Sequence, residues 1–505
     1  MSIATASDFE FAPPRPLVTP LLLAAACVAL ADWLFYGWDV GISLPLFLGI
    51  LGVVAVAANG VAAPRQTQLI MTAVFVAGLM AAIEDVDFLS VVVSTLATAM
   101  FAIVLTARET SSWQRRLFEV TTVPFRGPFR LAGDLFGALR HMKAWTPEWL
   151  GSLVAWIVPL GIFAVFLALF SSANPLIEHQ LMRIDLRVLF NLVSVPRILF
   201  WLMVACVIWP LIRRRLPRKP ARRPDPGAAV VAAEATDLDY LLGAQAVLRS
   251  LVLFNALFAL QTGLDLVYLW GGAALPDGMG HAEYAHRGAY PLVATALLAA
   301  GFVLVAMRPG GPAEQSRWIR PLVLLWTGQN ILLVISSIFR LDLYVAAFSL
   351  TYLRLAAFIW MGLVAAGLLL ILVQIVKRKS LSWLVTANAA TLALVLYGCC
   401  FLNAPWLVAY YNVEHCREVV GTGPKLDSQY LRSLGQEVLP ALEPHLQQIP
   451  ALKPIVAELR SGSSICRSRR RSENWRDWGF RTWRLQRYLA NNPYIPPPPS
   501  DGGQG

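Results

Sequence analysis

Apolar residues in this chain form continuous runs of roughly 20 residues and do not alternate with polar ones. A helix of that length crosses a hydrocarbon core of about 30 Å, whereas strands of an outer-membrane barrel alternate over about ten residues. The predicted spans lie at 17–36, 41–59, 68–83, 88–106, 149–171, 188–212, 239–262, 290–306, 320–338, 350–376 and 383–402. The predicted fold class is therefore all-α, a polytopic transmembrane helical bundle of about 11 spans with a small helical C-terminal tail domain.

Composition agrees with a membrane protein. The 505 residues are 57% hydrophobic and 14% charged, whereas soluble proteins carry about 25% charged residues. The first run is expected to be retained as a span, because acidic Asp8 and Glu10 precede it where a signal peptide has a basic leader. The third run is short and ends at an acidic turn, so a tilted or reentrant segment is an alternative there.

Basic residues in the connections predict the orientation, because loops rich in Lys and Arg resist export. The connections 107–148 and 213–237 are strongly basic, and Lys377–Lys379 falls on the same side. These segments are expected in the cytoplasm together with the N-terminus, and the acidic turn at 84–87 on the opposite face. The tail after the last span is then periplasmic in a Gram-negative bacterium. A basic run at 467–471 opposes this placement, but it lies too far from the membrane to count.

Changes in composition predict the domain boundaries. The segment 213–237 is rich in Pro and Arg, which excludes a helix interior. The predicted parts are an N-terminal transmembrane half at 1–212, a cytoplasmic linker at 213–237, a C-terminal transmembrane half at 238–402, a helical tail at 403–490 and a disordered Pro/Gly end at 491–505.

Amphipathic patterns predict further helices outside the spans. Apolar and basic residues interleave within 107–148, which is typical of a helix at the membrane interface. In the tail, Asp427 is expected to cap a helix, and another apolar pattern covers Leu452 to Leu459. The basic, aromatic stretch from Trp475 to Leu489 predicts a helix that either lies on lipid head groups or packs on the preceding helices.

Ionisable residues at membrane depth are costly, so each needs a partner or a function. The richest set lies in the C-terminal half near the predicted outer face, with Asp265 late in the seventh span and Gln261 on the same helix face. Two interpretations remain open: the arginines bind a phosphate or carboxylate through forked hydrogen bonds, or the acids neutralise them and pin helices together. The cluster contains three acids and three arginines, and this balance of charge favours the second interpretation. The candidate cluster comprises Asp265, together with Glu283 and Arg287 in the connection after the seventh span, Arg340 and Asp342 in the turn after the ninth span, and Arg354 just inside the tenth span.

Other chemistry is sparse in the sequence. His281, Glu283 and His286 have no spacing typical of a zinc site, so no metal site is expected. Cys416 and Cys466 in the tail are candidates for a disulfide if the tail is in an oxidising compartment. The chain has no catalytic motif and no phosphate-cradling glycine loop, and we expect no cofactor and no nucleic-acid partner.

Several stretches are similar to one known family. The carrying motifs are Glu283 to Tyr290, Arg340 to Tyr344, Leu350 to Arg354, Tyr411 to Val413, Leu426 to Leu431 and Trp475 to Trp478. They resemble a bacterial multi-pass membrane family of unknown function, the domain of unknown function 4173, akin to 4153. The similarity runs from about Ser171 to Trp483, with a diverged N-terminal third.

The resemblance implies an inner-membrane helical protein without an established activity. The family pattern places an arginine where His286 stands here, which argues against a metal role for His286. The motifs contain Arg287, Arg340 and Arg354, the arginines already selected by the burial argument, and they add Tyr284 and Tyr344 to the candidate cluster.

Three functions are compatible with these patterns. The leading hypothesis is a non-enzymatic envelope, signalling or assembly component that contacts membrane lipids and a protein partner. The second is a transporter or flippase whose arginines receive an anionic lipid head group or a small anion. The third is a membrane transferase acting on a lipid-linked substrate, with Asp32 or Asp39 as its base.

Overall fold

The computed structural model describes residues 18–107, 113–142, 194–214, 244–271, 317–461 and 474–493, with single positions at 156, 159, 163 and 298. Helices, turns and irregular segments make up these residues, and no strand occurs among them. The predicted all-α class is confirmed. Within the described part, eight helices are long and apolar enough to cross a membrane. Apart from those single positions, the predicted spans 149–171 and 290–306 lie outside the described residues, so the count of 11 stays a prediction.

The chain divides into two compact units. The first comprises Met1–Arg218 with Arg471–Trp483, and the second comprises Lys219–Arg470 with Arg484–Gly505. The division falls within the predicted linker 213–237. The rest of that linker beyond Arg214, and the Pro/Gly end from residue 494, lie outside the described residues. The five-part domain scheme stays a prediction.

The first unit contains six described helices. They are α1 (Val18–Phe35), α2 (Ser43–Asn59), α3 (Arg65–Glu84), α4 (Phe88–Thr106), α5 (Trp113–Met142) and α6 (Val195–Ile212). The third predicted span is continuous over the 20 residues of α3, so the reentrant alternative is not what forms. Asp87 starts α4 through a capping box, because its carboxylate accepts from Ser90 N–H at 2.7 Å while Ser90 Oγ accepts from Asp87 N–H at 2.9 Å.

One end of the first unit gathers the C-termini of α2, α4 and α6. Asn59 Nδ2 donates to the carbonyl of Leu211 at 2.8 Å, and Arg214 Nη1 donates to Thr106 Oγ1 at 2.9 Å. Burial lowers the pKa of Arg214, and the charge of Glu119 opposes that shift. We call this the Asn59 end; the turn between α3 and α4 lies at the other end, the Asp85 end.

Helix α5 is the predicted amphipathic helix, and it extends across the Asn59 end. Arg214 reaches Glu119 at 3.3 Å and Arg213 reaches Asp134 at 2.7 Å. Those two acids are separated by about 22 Å of helix rise, although the arginines are adjacent. Helix α5 therefore crosses the last turns of α6, with Gly127 packed against the backbone at Cys206; its position at the membrane interface stays a prediction.

The second unit contains four apolar helices, a π-helical turn and the tail. These helices are α7 (Ala244–Leu264), followed directly by the π-helix Asp265–Trp270, then α8 (Ile319–Phe348), α9 (Tyr352–Lys377) and α10 (Leu381–Cys400). Helix α8 corrects one prediction. Arg340 and Asp342 were expected in a turn after a span ending at 338, but they lie inside one continuous helix of 30 residues.

The described part of the tail is a set of short helices around an apolar core. They are α11 (Ala404–Glu414), α12 (Arg417–Val420), α13 (Ser428–Ser433), α14 (Leu439–Leu442), α15 (Leu452–Ser461) and α16 (Phe480–Asn491), with 3₁₀ turns at Gln436–Val438 and Glu443–His445. A further 3₁₀ turn at Trp475–Asp477 and the part of α16 as far as Trp483 belong to the first unit. The predicted cap is confirmed, since Asp427 Oδ1 accepts from Tyr430 N–H at 2.9 Å. The tail core also includes Val345 of α8 and Leu350 of the α8–α9 turn. The tail is therefore built onto the ends of two spans.

The basic, aromatic stretch at the end of the tail is broken into two pieces. Gly479 separates the 3₁₀ turn at Trp475–Asp477 from α16. In the second unit, Tyr488 OH donates to Glu443 Oε2 at 2.7 Å, and Leu489 packs against the tail core. Burial and this hydrogen bond raise the pKa of Tyr488. Of the two alternatives for this stretch, packing on protein is the one that forms there.

Candidate functional site

The centre of the predicted polar cluster is an ion pair sealed between α7 and α8. Arg340 Nη2 donates to Asp265 Oδ1, and Gln261 Nε2 donates to the same oxygen at 3.0 Å. Only 3% of the Arg340 side chain and 1% of the Asp265 side chain are exposed. Because an unpaired charge at membrane depth is costly, each side chain stabilises the charge of the other, and the pair fixes one helix against its neighbour.

The backbone changes its winding where Asp265 enters this pair. Residues Asp265–Trp270 are π-helical, and the turn closes with Gly271 N–H donating to the Leu266 carbonyl at 2.8 Å. Such turns are rare and often occur at functional sites, because the wider winding changes which side chains face a neighbour. Here the widened turn starts at the residue that pairs with Arg340.

A second polar bridge joins the same two helices further along. Asn255 Nδ2 donates to the carbonyl of Leu251 on its own helix at 2.7 Å and to the carbonyl of Leu322 on α8 at 3.2 Å. In the reverse direction, Gln329 Nε2 of α8 donates to the Asn255 carbonyl at 3.2 Å. Hydrogen bonds across helices stabilise association in lipid, where apolar contact alone gives little preference. Polar side chains thus join α7 to α8 at two levels.

Arg354 is held by carbonyl groups and aromatic rings. Its Nη1 donates to the carbonyl of Phe348 at 2.6 Å and to that of Ser349, and its guanidinium lies 4.5 Å from the ring centroid of Tyr344. Ser349 has φ 69°, a backbone conformation that residues other than Gly rarely adopt. Arg354 therefore stabilises a strained turn between α8 and α9.

The tail holds the same turn from its other side. The carboxamide of Asn412 brackets Leu350, with Oδ1 accepting from its N–H at 2.6 Å and Nδ2 donating to its carbonyl at 2.9 Å. Tyr430 OH accepts from Tyr352 N–H at 3.0 Å. The polar groups of the turn are satisfied by tail side chains, which fixes the tail on α8 and α9.

The predicted cluster thus separates into two sets of contacts, whose α8 members Arg340 and Tyr344 are one helical turn apart. The first joins Arg340 to Asp265, and the second joins Arg354 to Tyr344. Asp342 is exposed on α8; burial raises the pKa of Tyr411, and the charge of Asp342 adds to that shift. The remaining candidates Glu283, Tyr284 and Arg287 lie outside the described residues.

The predicted disulfide also stays a prediction. Cys466 lies outside the described residues. The Cys416 thiol is buried, lies 3.1 Å from the Val413 carbonyl and has a raised pKa, mainly because of its burial. Burial of this kind makes a thiol unreactive.

Asp32, proposed from the sequence as a base, is occupied by hydrogen bonds in the first unit. Its carboxylate accepts from Arg197 Nε and from Trp201 Nε1, each at 2.8 Å. The guanidinium of Arg197 lies 5.1 Å from the ring centroid of Tyr36. A general base needs a free lone pair within reach of the substrate proton, so this arrangement is better suited to joining α1 to α6.

Sequence reasoning missed a contact, within the first unit, between a late segment of the chain and the turn between α3 and α4. Residues 474–483, the tail strap, lie across the Asp85 end. Arg481 Nη1 donates to Asp85 Oδ2 at 3.0 Å and its Nε lies 3.6 Å from Glu84 Oε1. Ile42 N–H donates to the Trp478 carbonyl at 2.7 Å. The signal was the match between an acidic turn and a basic tail segment, but nothing in the sequence pairs segments so far apart.

The strap passes so closely over the α1–α2 turn that a side chain would not fit at Gly41. A Cβ placed there would lie 2.6 Å from the Asp477 carbonyl oxygen and 2.7 Å from that of Arg476. The glycine is therefore required by the approach of the two backbones. The close approach fixes the position of the strap on the turn.

Comparison with known proteins places these observations in one family. The family model described as Domain of unknown function (DUF4153) matches residues 71–445. Neither a curated protein nor a solved structure matches this chain. The match starts before the range that the motifs predicted and ends before the strap, so Asp265, Arg340 and Arg354 lie inside it.

The predicted kinship with family 4153 is confirmed, whereas assignment to number 4173 stays a prediction. Because the match covers most of the chain, from the third apolar helix into the tail, this protein belongs to the DUF4153 family.

Proposed function

We propose that this protein is a non-enzymatic component of the bacterial inner membrane that holds a helical tail domain on the periplasmic face for envelope assembly or signalling. The closed pair of Asp265 and Arg340 carries the proposal. Arg340 is directed to an acid of its own chain and is 3% exposed, so the residue best placed to receive an anion instead joins two spans.

Attachment of the tail supports the same function. Val345 and Leu350 belong to the apolar core of the tail, and Asn412 and Tyr430 bind the backbone of the α8–α9 turn. A domain held by both apolar and polar contacts is presented in a fixed orientation. This is what a partner-binding or assembly component requires, and a partner protein in the envelope is part of the proposal.

The proposed orientation rests on the two ends of the first unit. Arg213 and Arg214 lie at the Asn59 end and begin the basic connection that is expected in the cytoplasm. The strap lies at the opposite, Asp85 end. The tail follows α10 and contains no further candidate span in its described part, so it falls on the periplasmic side, with the N-terminus in the cytoplasm.

Labelling of single cysteines tests this orientation. In a cysteine-free background, Gln447→Cys in the tail should react with a membrane-impermeant maleimide in intact spheroplasts, because Gln447 is exposed. Lys379→Cys, exposed in the α9–α10 connection, should react only after lysis. The reverse pattern would overturn the orientation.

The second candidate is a transporter or flippase for an anionic lipid-linked or small anionic substrate. The π-helical turn at Asp265–Trp270 favours it, because such turns mark functional positions in other helices. In that function the Asp265–Arg340 pair opens during the cycle and Arg340 receives the anion.

Reconstitution separates the two candidates. Liposomes containing the full-length protein are monitored for transbilayer movement of fluorescent phosphatidylglycerol and for phosphate efflux. A structural component is expected to give the rates of protein-free liposomes. Protein-dependent flux that is lost with Asp265→Leu/Arg340→Met would establish the second candidate instead. The matched control is Arg432→Met/Glu458→Leu, which removes an exposed ion pair in the tail.

The third candidate, a transferase using a lipid-linked substrate, has less support, because Asp32 is bound by Arg197 and Trp201. Assignment to family 4173 is also part of the proposal, resting on the motifs around Arg340 and Arg354.

A further inference from the structure

Arg476 in the tail strap is surrounded by three tryptophan side chains. Its guanidinium carbon lies 4.6 Å from the ring centroid of Trp33, 5.0 Å from that of Trp38 and 5.3 Å from that of Trp475. Trp33 and Trp475 are themselves 5.7 Å apart. Aromatic faces attract a cation within about 6 Å, so the rings fix the guanidinium in one place.

The charge of Arg476 has no acidic partner among the residues that the structure describes. Its Nη1 contacts only the amide oxygen of Asn474, at 3.4 Å, and its Nε is buried without a hydrogen-bond partner. Arg481, five residues later, contacts two carboxylates. Because a buried donor without an acceptor is unfavourable, an acceptor at Arg476 would stabilise the site.

The three rings around Arg476, which together with it form the Arg476 cage, are about half exposed. Trp33, Trp38 and Trp475 are 53%, 49% and 48% exposed. Trp33 lies in the last turn of α1, a candidate span, and Trp38 follows in the α1–α2 turn. Tryptophan is enriched where a span meets the lipid head groups, so the Arg476 cage is expected at the depth of lipid phosphates.

The strap backbone holds Arg476 in position before any ligand arrives. Ile42 N–H donates to the Trp478 carbonyl, and the backbone at Arg476 and Asp477 approaches Gly41 too closely for a side chain. A guanidinium fixed in this way loses little entropy on binding. Forked donors of this kind match the geometry of a phosphate.

We propose that Arg476, held by Trp33, Trp38 and Trp475, binds the phosphate group of an anionic phospholipid. The site is separate from the candidate cluster on α8. An inorganic phosphate ion offers the same oxygens, but the position at the end of a span favours the lipid. The bound lipid then secures the strap to the membrane surface.

Native mass spectrometry of the full-length protein titrated with phosphatidylglycerol tests the site. Arg476→Gln is expected to weaken binding of the tightest lipid by about tenfold, the equivalent of one charge-assisted hydrogen bond. Arg476→Lys keeps the positive charge but lacks the forked donors of the guanidinium, so its lipid affinity should lie between those of wild type and Arg476→Gln. Lys425→Gln removes the same charge at an exposed tail position and should leave binding unchanged.

Two further measurements keep the test decisive. Thermal unfolding without lipid shows whether Arg476→Gln stays folded. If it does not, Trp38→Leu removes one face of the cage, leaves the strap backbone bonds in place, and should also weaken binding. Equal phosphatidylglycerol affinity in wild type and the folded variant would overturn the proposal, as would equally tight binding of neutral diacylglycerol. Displacement of the lipid by millimolar inorganic phosphate would overturn the lipid as the occupant.

Discussion

The helix pairs α3–α4 and α7–α8 associate by different means. In α3–α4, a Cβ added at Gly78 would collide with the Cβ of Ala97, and Ser94 and Thr98 are buried with their hydroxyls bonded within α4. In α7–α8, Asn255 bonds across the helices, as does the Arg340–Asp265 pair. One pair relies on small side chains and the other on polar bridges.

The difference follows from the solvent around the spans. Lipid tails are as apolar as leucine, so burying leucine between two spans gives little advantage. Helices in lipid associate either by bringing their backbones close, which requires small residues, or by pairing groups that lipid cannot solvate. The α3–α4 pair uses the first solution and the α7–α8 pair the second, so the predicted effects of substitution differ between them.

The largest effect is expected at the polar pair. Arg340→Met leaves the carboxylate of Asp265 buried without the positive charge of Arg340 and should lower the free energy of unfolding by about 3–5 kcal/mol. Asp265→Leu/Arg340→Met removes both charges and should recover most of that loss. Unfolding of the reconstituted wild type and variants in a denaturant series gives the unfolding free energies of this double-mutant cycle. A double variant as unstable as the single variant would mean that Arg340 has another essential role.

A smaller effect is expected at the close-packed pair. Gly78→Ala forces α3 away from Ala97 and should cost about 1–3 kcal/mol of unfolding free energy. Gly328→Ala on α8 is the matched control, since a Cβ there meets nothing within 4 Å, and it should be neutral or stabilising. Gly78→Ala/Ala97→Gly should regain stability. If Gly78→Ala and Gly328→Ala change the unfolding free energy equally, close packing is not what holds α3 to α4.

The smallest effect separates bonds across helices from bonds within one helix. Asn255→Leu removes a cross-helix bond and should cost about 0.6 kcal/mol, the usual value in a membrane. Ser94→Ala removes a hydroxyl bonded only to the Val91 carbonyl of its own helix and keeps the small volume, so its change should be about half as large or less. Melting temperatures of both variants in the same lipid give the comparison. A larger loss at Ser94 would contradict it.

Much of the fold could be predicted from the sequence, and the prediction that was wrong has a physical cause. The predicted spans coincide with α1 to α4 and α6 to α10 where the structure describes them, because a backbone in lipid must satisfy its own hydrogen bonds as a helix. The position of Arg340 was wrong, since charges were expected to end the span at 338. Helix α8 instead continues because Asp265 neutralises Arg340 and the tail core covers Val345.

The candidate site was only partly predictable. The cost of burying charge at membrane depth predicted Asp265, Arg340 and Arg354 as site residues, and the structure joins Asp265 and Arg340 in an ion pair. It assigns Arg354 to carbonyl groups of the preceding turn, which have no sequence signature. The strap was missed because its partners at Glu84 and Asp85 are almost four hundred residues away in the sequence, and a charge pattern does not show which opposite charge it will meet.

The sequence alone determined the environment, the helical class, the spans and their expected direction. Each follows from the length and flanks of one segment, since the cost of placing polar groups in lipid acts on every segment separately. Only the tertiary structure decided which charges meet, that the tail shares its core with α8 and α9, and that the strap encloses Arg476 among three tryptophans. Those outcomes depend on contacts between distant segments, and such contacts are fixed only when the helices pack.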